Sequence, residues 1–192
     1  MRLIEDWVTP LAIVTVVYLI AFFLTFLVVF PFQEATFGSV AFYANLLFLP
    51  HGIRLLTALF YGWRSVIFLA PASLMTHYYL SGWAGFGLLN LMSAFVGISC
   101  GAMGLQILKW LSLDVRNDEK FRFNWRYLLL AGIMASILNS VGTNFFYNDF
   151  FTLDMARSTV FYLIGDISGQ FFMMLILMLI FRWVRLGADL KA

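Results

Sequence analysis

The chain has 192 residues, of which 62% are hydrophobic, 19% aromatic and 11% charged, and its formal net charge is +2. A soluble domain carries about 25% charged residues, so these side chains cannot cover a water-facing surface, and the small net charge gives no reason to expect nucleic acid as a partner. One cysteine, Cys100, leaves no disulfide framework or thiolate metal site to be built within one chain.

A membrane span takes roughly 20 mainly apolar residues. Six such segments are predicted, at 8–29, 40–61, 66–79, 86–108, 127–146 and 160–181. The chain is therefore read as an all-α, polytopic membrane bundle forming a single integral domain over 1–192. The first segment follows Glu5 and Asp6, exceeds the length of a signal-peptide core and has no small-residue cleavage site behind it, so it reads as a retained helix. The second carries Pro50 and Gly52, which should kink or interrupt it. Such a break is tolerated at membrane depth only where protein or water satisfies the freed backbone groups. The third is short and contains Pro71, so a tilted, kinked or partly spanning helix is expected. In the fourth, Gly97, Gly101 and Gly104 form a stripe suited to close helix packing, with Cys100 as a small packing residue.

Residues 109–126 are the one soluble-looking stretch, expected to be a solvated loop or a docking surface for another membrane or cytoplasmic protein. In the fifth segment Ser136, Asn139, Ser140 and Thr143 recur at spacings of three and four, which puts them on one helix face, and Asn144 follows. The sixth contains Gly165-Asp166-Ile167-Ser168-Gly169, in which Gly165 and Gly169 would let another helix approach closely.

Of the twelve Lys and Arg residues, ten fall on one side of this arrangement, Arg157 falls on the other and Arg54 lies inside a span. The positive-inside rule then puts both termini and the 109–126 loop in the cytoplasm. Trp7, Trp63, Trp110, Trp125 and Trp183 agree with the inner interface and Trp83 with the outer one.

A charge at mid-bilayer costs about 2.5–3.5 kcal/mol on insertion scales, so it usually faces the bundle interior and has a partner. At a rise of about 1.5 Å per residue, His51 lies roughly 15 Å and Arg54 roughly 10 Å from the inner end of the second span, with Asp166 close to the level of His51. Asp166 is therefore expected to pair with Arg54, His51 or both, as an interhelical ion pair, a ligand anchor or a protonation-sensitive element. Asn45, Thr76, His77, Asn139, Thr143, Asn144 and Tyr147 fall in the outer half by the same count. They are read either as interhelical hydrogen bonds or as the lining of a polar cavity open to the outside. Isolated His51 and His77 give no histidine cluster for metal or haem, and phosphate-loop, nucleophile-elbow and zinc-protease motifs are missing. Side chains at i and i+2 do not face each other on a helix, so Asp166 and Ser168 make a poor start to a catalytic triad. No enzyme, metal or cofactor is expected.

The stretch Phe48-Leu49-Pro50-His51-Gly52-Ile53-Arg54-Leu55-Leu56-Thr57-Ala58-Leu59-Phe60-Tyr61-Gly62-Trp63-Arg64 resembles the second-helix signature of the MASE-type membrane-associated sensor domains. Gly165-Asp166-Ile167-Ser168-Gly169 is similar to the Gly-Asp-x-x-Gly of that family's last helix. His51 departs from the pattern, standing where the family commonly has a second proline or a small residue. The resemblance implies a bacterial inner-membrane sensory module, and with only about ten residues after the last span it would signal through a separate partner. The alternatives are a vitamin-like uptake substrate-binding subunit, since that family is distantly similar, and an accessory subunit of a larger membrane complex.

Overall fold

The structure, a computed structural model, describes residues 4–37, 45–118, 124–146 and 153–189. All regular elements among them are helical. Helix α1 (4–37) is continuous, with Ile4–Val8 and Thr25–Val29 in wider π turns. The second widening precedes Pro31, which has no N–H to continue the regular ladder. Then come α2 (Leu49–Tyr61), α3 (Ser65–Ser81), α4 (Leu88–Trp110), α5 (Trp125–Phe146) and α6 (Leu153–Asp189).

Five helical stretches are long and apolar enough to cross a membrane: Glu5–Thr36, Leu49–Phe86, Leu88–Trp110, Trp125–Phe146 and Thr159–Trp183. The second of these is folded. Gly62, at φ 59°, ends α2 in a backbone conformation that side chains with a Cβ rarely adopt, and α3 starts three residues later.

Cross-helix contacts give the directions. Trp7 meets Phe68, and Phe22 and Phe23 meet Tyr79, so α1 and α3 run the same way. Tyr18 meets Arg54 while Thr25 meets Leu49, so α2 runs opposite to α1. Gly104 faces Ala131 and Ala135 while Ser93 meets Thr143, which makes α4 and α5 antiparallel. Ser136 meets Asp166 and Asn144 meets Thr159, so α5 and α6 are antiparallel as well.

The expected second span over 40–61 is shorter as a helix than the sequence reading gives. Residues 40–44 lie outside the described residues, and 45–48 are non-helical. Helix formation starts at Leu49, with Pro50 in the first turn, where its missing N–H costs nothing. At 13 residues, α2 is about 20 Å long, well short of a hydrocarbon core about 30 Å thick. The third segment, expected to be the short one, is a helix of 17 residues that accommodates Pro71.

Lipid tails are as apolar as leucine, so close packing and hydrogen bonds hold such helices together more than hydrophobicity does. The fourth-segment glycines do this on two fronts. A Cβ at Gly101 would sit 2.9 Å from the Arg54 carbonyl oxygen on α2, and one at Gly104 would sit 2.6 Å from the Ala131 carbonyl oxygen on α5. Gly165 and Gly169 receive something other than a helix. A Cβ at either would meet the carbonyl oxygen of Asn45 or Phe48 at about 2 Å, because the extended 45–48 segment lies directly on α6.

Candidate polar cavity

The unwound 45–48 segment is possible because α1 and α6 satisfy its backbone. Leu46 N–H donates to Gln33 Oε1 at 2.7 Å, Phe48 N–H to the Gly165 carbonyl at 2.9 Å and Leu49 N–H to Thr25 Oγ1 at 3.3 Å. Ser168 Oγ donates to the Leu46 carbonyl. The N–H and C=O groups of Leu46 and Phe48 are thus paired, the Phe48 carbonyl accepting from the His51 N–H at 3.2 Å. The effect of the unwound segment is to open a gap beside the start of α2.

That gap is part of a cavity of about 180 Å³ reached by α2, α3, α4, α5, α6 and the 45–48 segment. Arg54 and Asp166 lie at its inner level, and Ser93, Thr143, Asn144 and His77 extend it toward the end of the bundle where α3 finishes and α4 begins. Five of the residues assigned to an outer-half pocket line it: Asn45, His77, Asn139, Thr143 and Asn144. Thr76 does not. Its hydroxyl donates to the Ser73 carbonyl of its own helix at 2.9 Å, and its other face borders Tyr79 and Trp83. Tyr147 lies outside the described residues.

Asp166, 1% exposed, accepts a hydrogen bond from Ser136 Oγ at 2.8 Å, and its Oδ2 lies 3.3 Å from His51 Nδ1. His51 is sealed behind the carboxylate, away from the cavity, and its Nε2 donates to the Gly132 carbonyl at 3.2 Å. Arg54 makes no ion pair with Asp166 within 4.0 Å, although both line the cavity. Its Nη2 donates to Tyr18 Oη at 2.9 Å, and the guanidinium lies 5.7 Å from the Tyr18 ring centre and 5.6 Å from that of Phe48. Gly97 makes room for it, since a Cβ there would crowd the guanidinium at 3.3 Å.

Several groups here have no partner. Arg54 Nε, Ser140 Oγ and Asn45 Oδ1 are buried and make no hydrogen bond. Buried polar atoms are usually paired, by protein or water, and a lone one costs about 1–3 kcal/mol, more when charged. Three of them lie around one polar cavity.

Sequence reasoning missed four residues that hold this site. Tyr18 looked like one more aromatic in an apolar helix. Thr25 and Gln33 were single polar residues with no visible partner, because their partner is an unwound backbone. Gln170, 1% exposed, donates through Nε2 to the Leu128 carbonyl at 2.7 Å and occupies the space left by Gly132. A signal existed for the last: a glutamine one turn from Asp166 on an apolar helix needs a partner. Among the described residues, no group of three or more His, Cys, Asp or Glu side chains is placed to hold a metal ion.

At the other end of the bundle Arg64, Lys109, Arg116 and Arg126 gather around the turns. The 109–126 stretch, expected to be a solvated loop or a docking surface, is folded over its first half. Val115 is buried against Leu59, Leu108 and Leu128, and the Arg116 side chain lies against Gly62. Asp114 accepts hydrogen bonds from the Arg116 and Asn117 backbone N–H groups and from the Asn117 side chain, and lies 3.6 Å from Lys109 Nζ. Residues 119–123 of that stretch lie outside the described residues.

Comparison with protein-family models, with curated proteins and with solved structures finds no match.

Proposed function

We propose that this protein is a non-enzymatic, multi-pass inner-membrane module of a bacterium that binds a small polar molecule in the cavity beside Arg54 and Asp166 and acts through a separate partner protein. The observation that carries the reading is the cavity itself. An apolar bundle has no packing reason to bring unpaired hydrogen-bonding groups from several helices to one space, since each unpaired group destabilises it. Ligand pockets in bundles have this composition, a few convergent polar groups in apolar walls. The MASE-type resemblance, carried by the Phe48–Arg64 and Gly165–Gly169 motifs, supports a sensory role for that binding. The partner would meet the basic end, through the 109–126 stretch.

In this reading the chain crosses the bilayer six times, with α2 and the 45–48 segment together completing the second crossing. The basic end faces the cytoplasm by the positive-inside rule and the cavity faces out. Reporter fusions after Asn117 and after Lys191 should both report cytoplasm, and an external signal at either contradicts this topology.

A second reading, the substrate-binding subunit of an uptake system, is favoured by the non-helical 45–48 segment that leads into α2 at the cavity. Non-helical backbone beside a helix end at a binding site is common in transporters. Mass spectrometry of gently solubilised protein tests the shared element of both. A small molecule should co-purify, and it should be lost from the double variant Asn139→Leu with Thr143→Leu, which fills the cavity with apolar groups. Equal small-molecule content in both proteins, or none in either, removes the cavity as a binding site. Co-purifying ATPases would favour uptake over sensing.

A further inference from the structure

At the basic end of the bundle a groove of about 640 Å³ opens between α2, α5 and α6, away from the polar cavity. At the inner end of this groove α6 is drawn against its neighbours, because Gly52 and Gly132 have no side chains. A Cβ at Gly52 would sit 2.7 Å from Met173 Cβ, and Gln170 fills the space at Gly132. Past that level Leu59 of α2 and Leu128 of α5 join one buried cluster, and the groove lies between this cluster and α6. Along α6 it extends from Phe171 to Phe181, about 15 Å at a rise of about 1.5 Å per residue. That is half of a hydrocarbon core about 30 Å thick, so the groove has the depth of one leaflet.

A helix of another protein fits it poorly. Helices approach closely in lipid over small residues, as α4 does here at Gly101 and Gly104. Every residue lining the groove is Leu, Met, Phe or Trp. A flexible hydrocarbon chain needs no close backbone approach and fits between such side chains. Lipid tails are as apolar as leucine, however, so burial alone gives a tail little preference for the groove over the bilayer. A preference has to come from the headgroup.

The groove mouth supplies one. Trp125 lines it and is 56% exposed, while Trp183, two residues past the lining residue Phe181, is 78% exposed. Exposed tryptophans at span ends sit at the headgroup level. Each has an exposed arginine beside it in the chain, Arg126 and Arg182. The Arg126 guanidinium lies 5.5 Å from the Trp125 ring centre. Among the described residues, neither arginine makes an ion pair within 4.0 Å. Planar guanidinium forks match phosphate oxygens.

Resting on the membrane placement above, we propose that this groove seats an acyl chain of an anionic phospholipid whose phosphate is bound by Arg126 and Arg182. Basic pockets between spans near the cytoplasmic face hold such headgroups. A zwitterionic lipid has the same tails but no net charge for the two arginines to offset.

The experiment uses the full chain, stripped of native lipid in mild detergent, with dioleoyl phosphatidylglycerol and dioleoyl phosphatidylcholine as probes and native mass spectrometry as the readout. Phosphatidylglycerol is expected to bind at least tenfold more tightly, and the double variant Arg126→Gln with Arg182→Gln should lose that preference, at about fivefold for each arginine. Met178→Trp, at a 61% exposed position on the groove wall, puts an indole where the chain lies and should lower phosphatidylglycerol occupancy several-fold. Ile180→Trp, 48% exposed and off the groove, should leave it unchanged. The altered positions are all exposed, so the variants should fold, and their unfolding temperatures without added lipid check this. Equal affinity for the two lipids, or a preference that survives the double arginine variant, overturns the anionic headgroup. Equal loss of lipid from Met178→Trp and Ile180→Trp, or from neither, overturns the groove as its seat. A co-purifying protein that Met178→Trp releases overturns the proposal in favour of a partner helix. Each of these outcomes leaves the membrane placement standing.

Discussion

The two ends of this bundle differ in how many buried polar side chains they leave without a partner. At the basic end the turn residues are closed: Asp114 takes up the N–H groups of Arg116 and Asn117, the Arg116 side chain lies against Gly62, and Val115 plugs the space between α2, α4 and α5. In the other half Gln33 and Gly165 take up the N–H groups of Leu46 and Phe48, and Thr25 takes up that of Leu49. Arg54 Nε, Asn45 Oδ1 and Ser140 Oγ stay without partners around the cavity, whereas Ser65 Oγ is the unpaired buried side-chain atom beside the basic turns, among the described residues.

Substitutions can break this contrast at graded cost. The largest effect is expected at Asp166. Asp166→Ala strands His51 and Ser136 in the interior, and breaking a buried pair typically costs about 3–5 kcal/mol. Thermal unfolding in detergent should show it, with Asp166→Asn milder because the amide still accepts from Ser136. A neutral Asp166→Ala would show that the pair holds nothing.

Gly165→Ala comes next, at about 2–3 kcal/mol by overpacking, because its methyl would collide with the Asn45 carbonyl. The same change at Gly82, where nothing lies within 4 Å, tests only backbone strain at φ 56° and should cost less. If the two cost the same, the close seat of the 45–48 segment on α6 is wrong. Tyr18→Phe removes the hydrogen bond that Tyr18 Oη accepts from Arg54 Nη2 and should cost about 1–2 kcal/mol in thermal unfolding.

The smallest effect belongs to the closed end. Partial desolvation, the largest influence on the Asp114 carboxyl, pushes its pKa up. The hydrogen bonds from Asn117 and Arg116 together with the charge of Lys109 outweigh it and hold the carboxyl below its ordinary value of 3.8. A lowered folded-state value means that Asp114 stabilises the protein at neutral pH, and that this contribution is lost as pH falls below the ordinary value through the folded one. Unfolding of Asp114→Asn and the unaltered protein should therefore differ slightly at pH 6 and converge near pH 3. A difference that persists at pH 3 would mean the loop is held by other contacts.

Much of the helical frame was legible in the sequence, because a run of apolar residues long enough to cross a bilayer has few other uses. The break near Pro50 was legible too, but its position was not. Proline is tolerated in a first helical turn, so the same residue that signals a kink also marks a start, and only the seat offered by Gly165 and Gly169 decides between them. The polar lining could be read as far as depth along each helix carries: Asn45, His77, Asn139, Thr143 and Asn144 share a level, and they share the cavity. Depth says nothing about direction around a helix axis. That is why Thr76, at the same level, turns its hydroxyl into its own backbone, and why Tyr18 went unseen as the partner of Arg54.

The central proposal is that the cavity beside Arg54 and Asp166 opens to the outside of the cell. Its most direct test is chemical labelling of Asn139→Cys in intact cells, in a Cys100→Ala background, with a membrane-impermeant methanethiosulfonate. The account predicts labelling from outside. Labelling only after the membrane is permeabilised would contradict it.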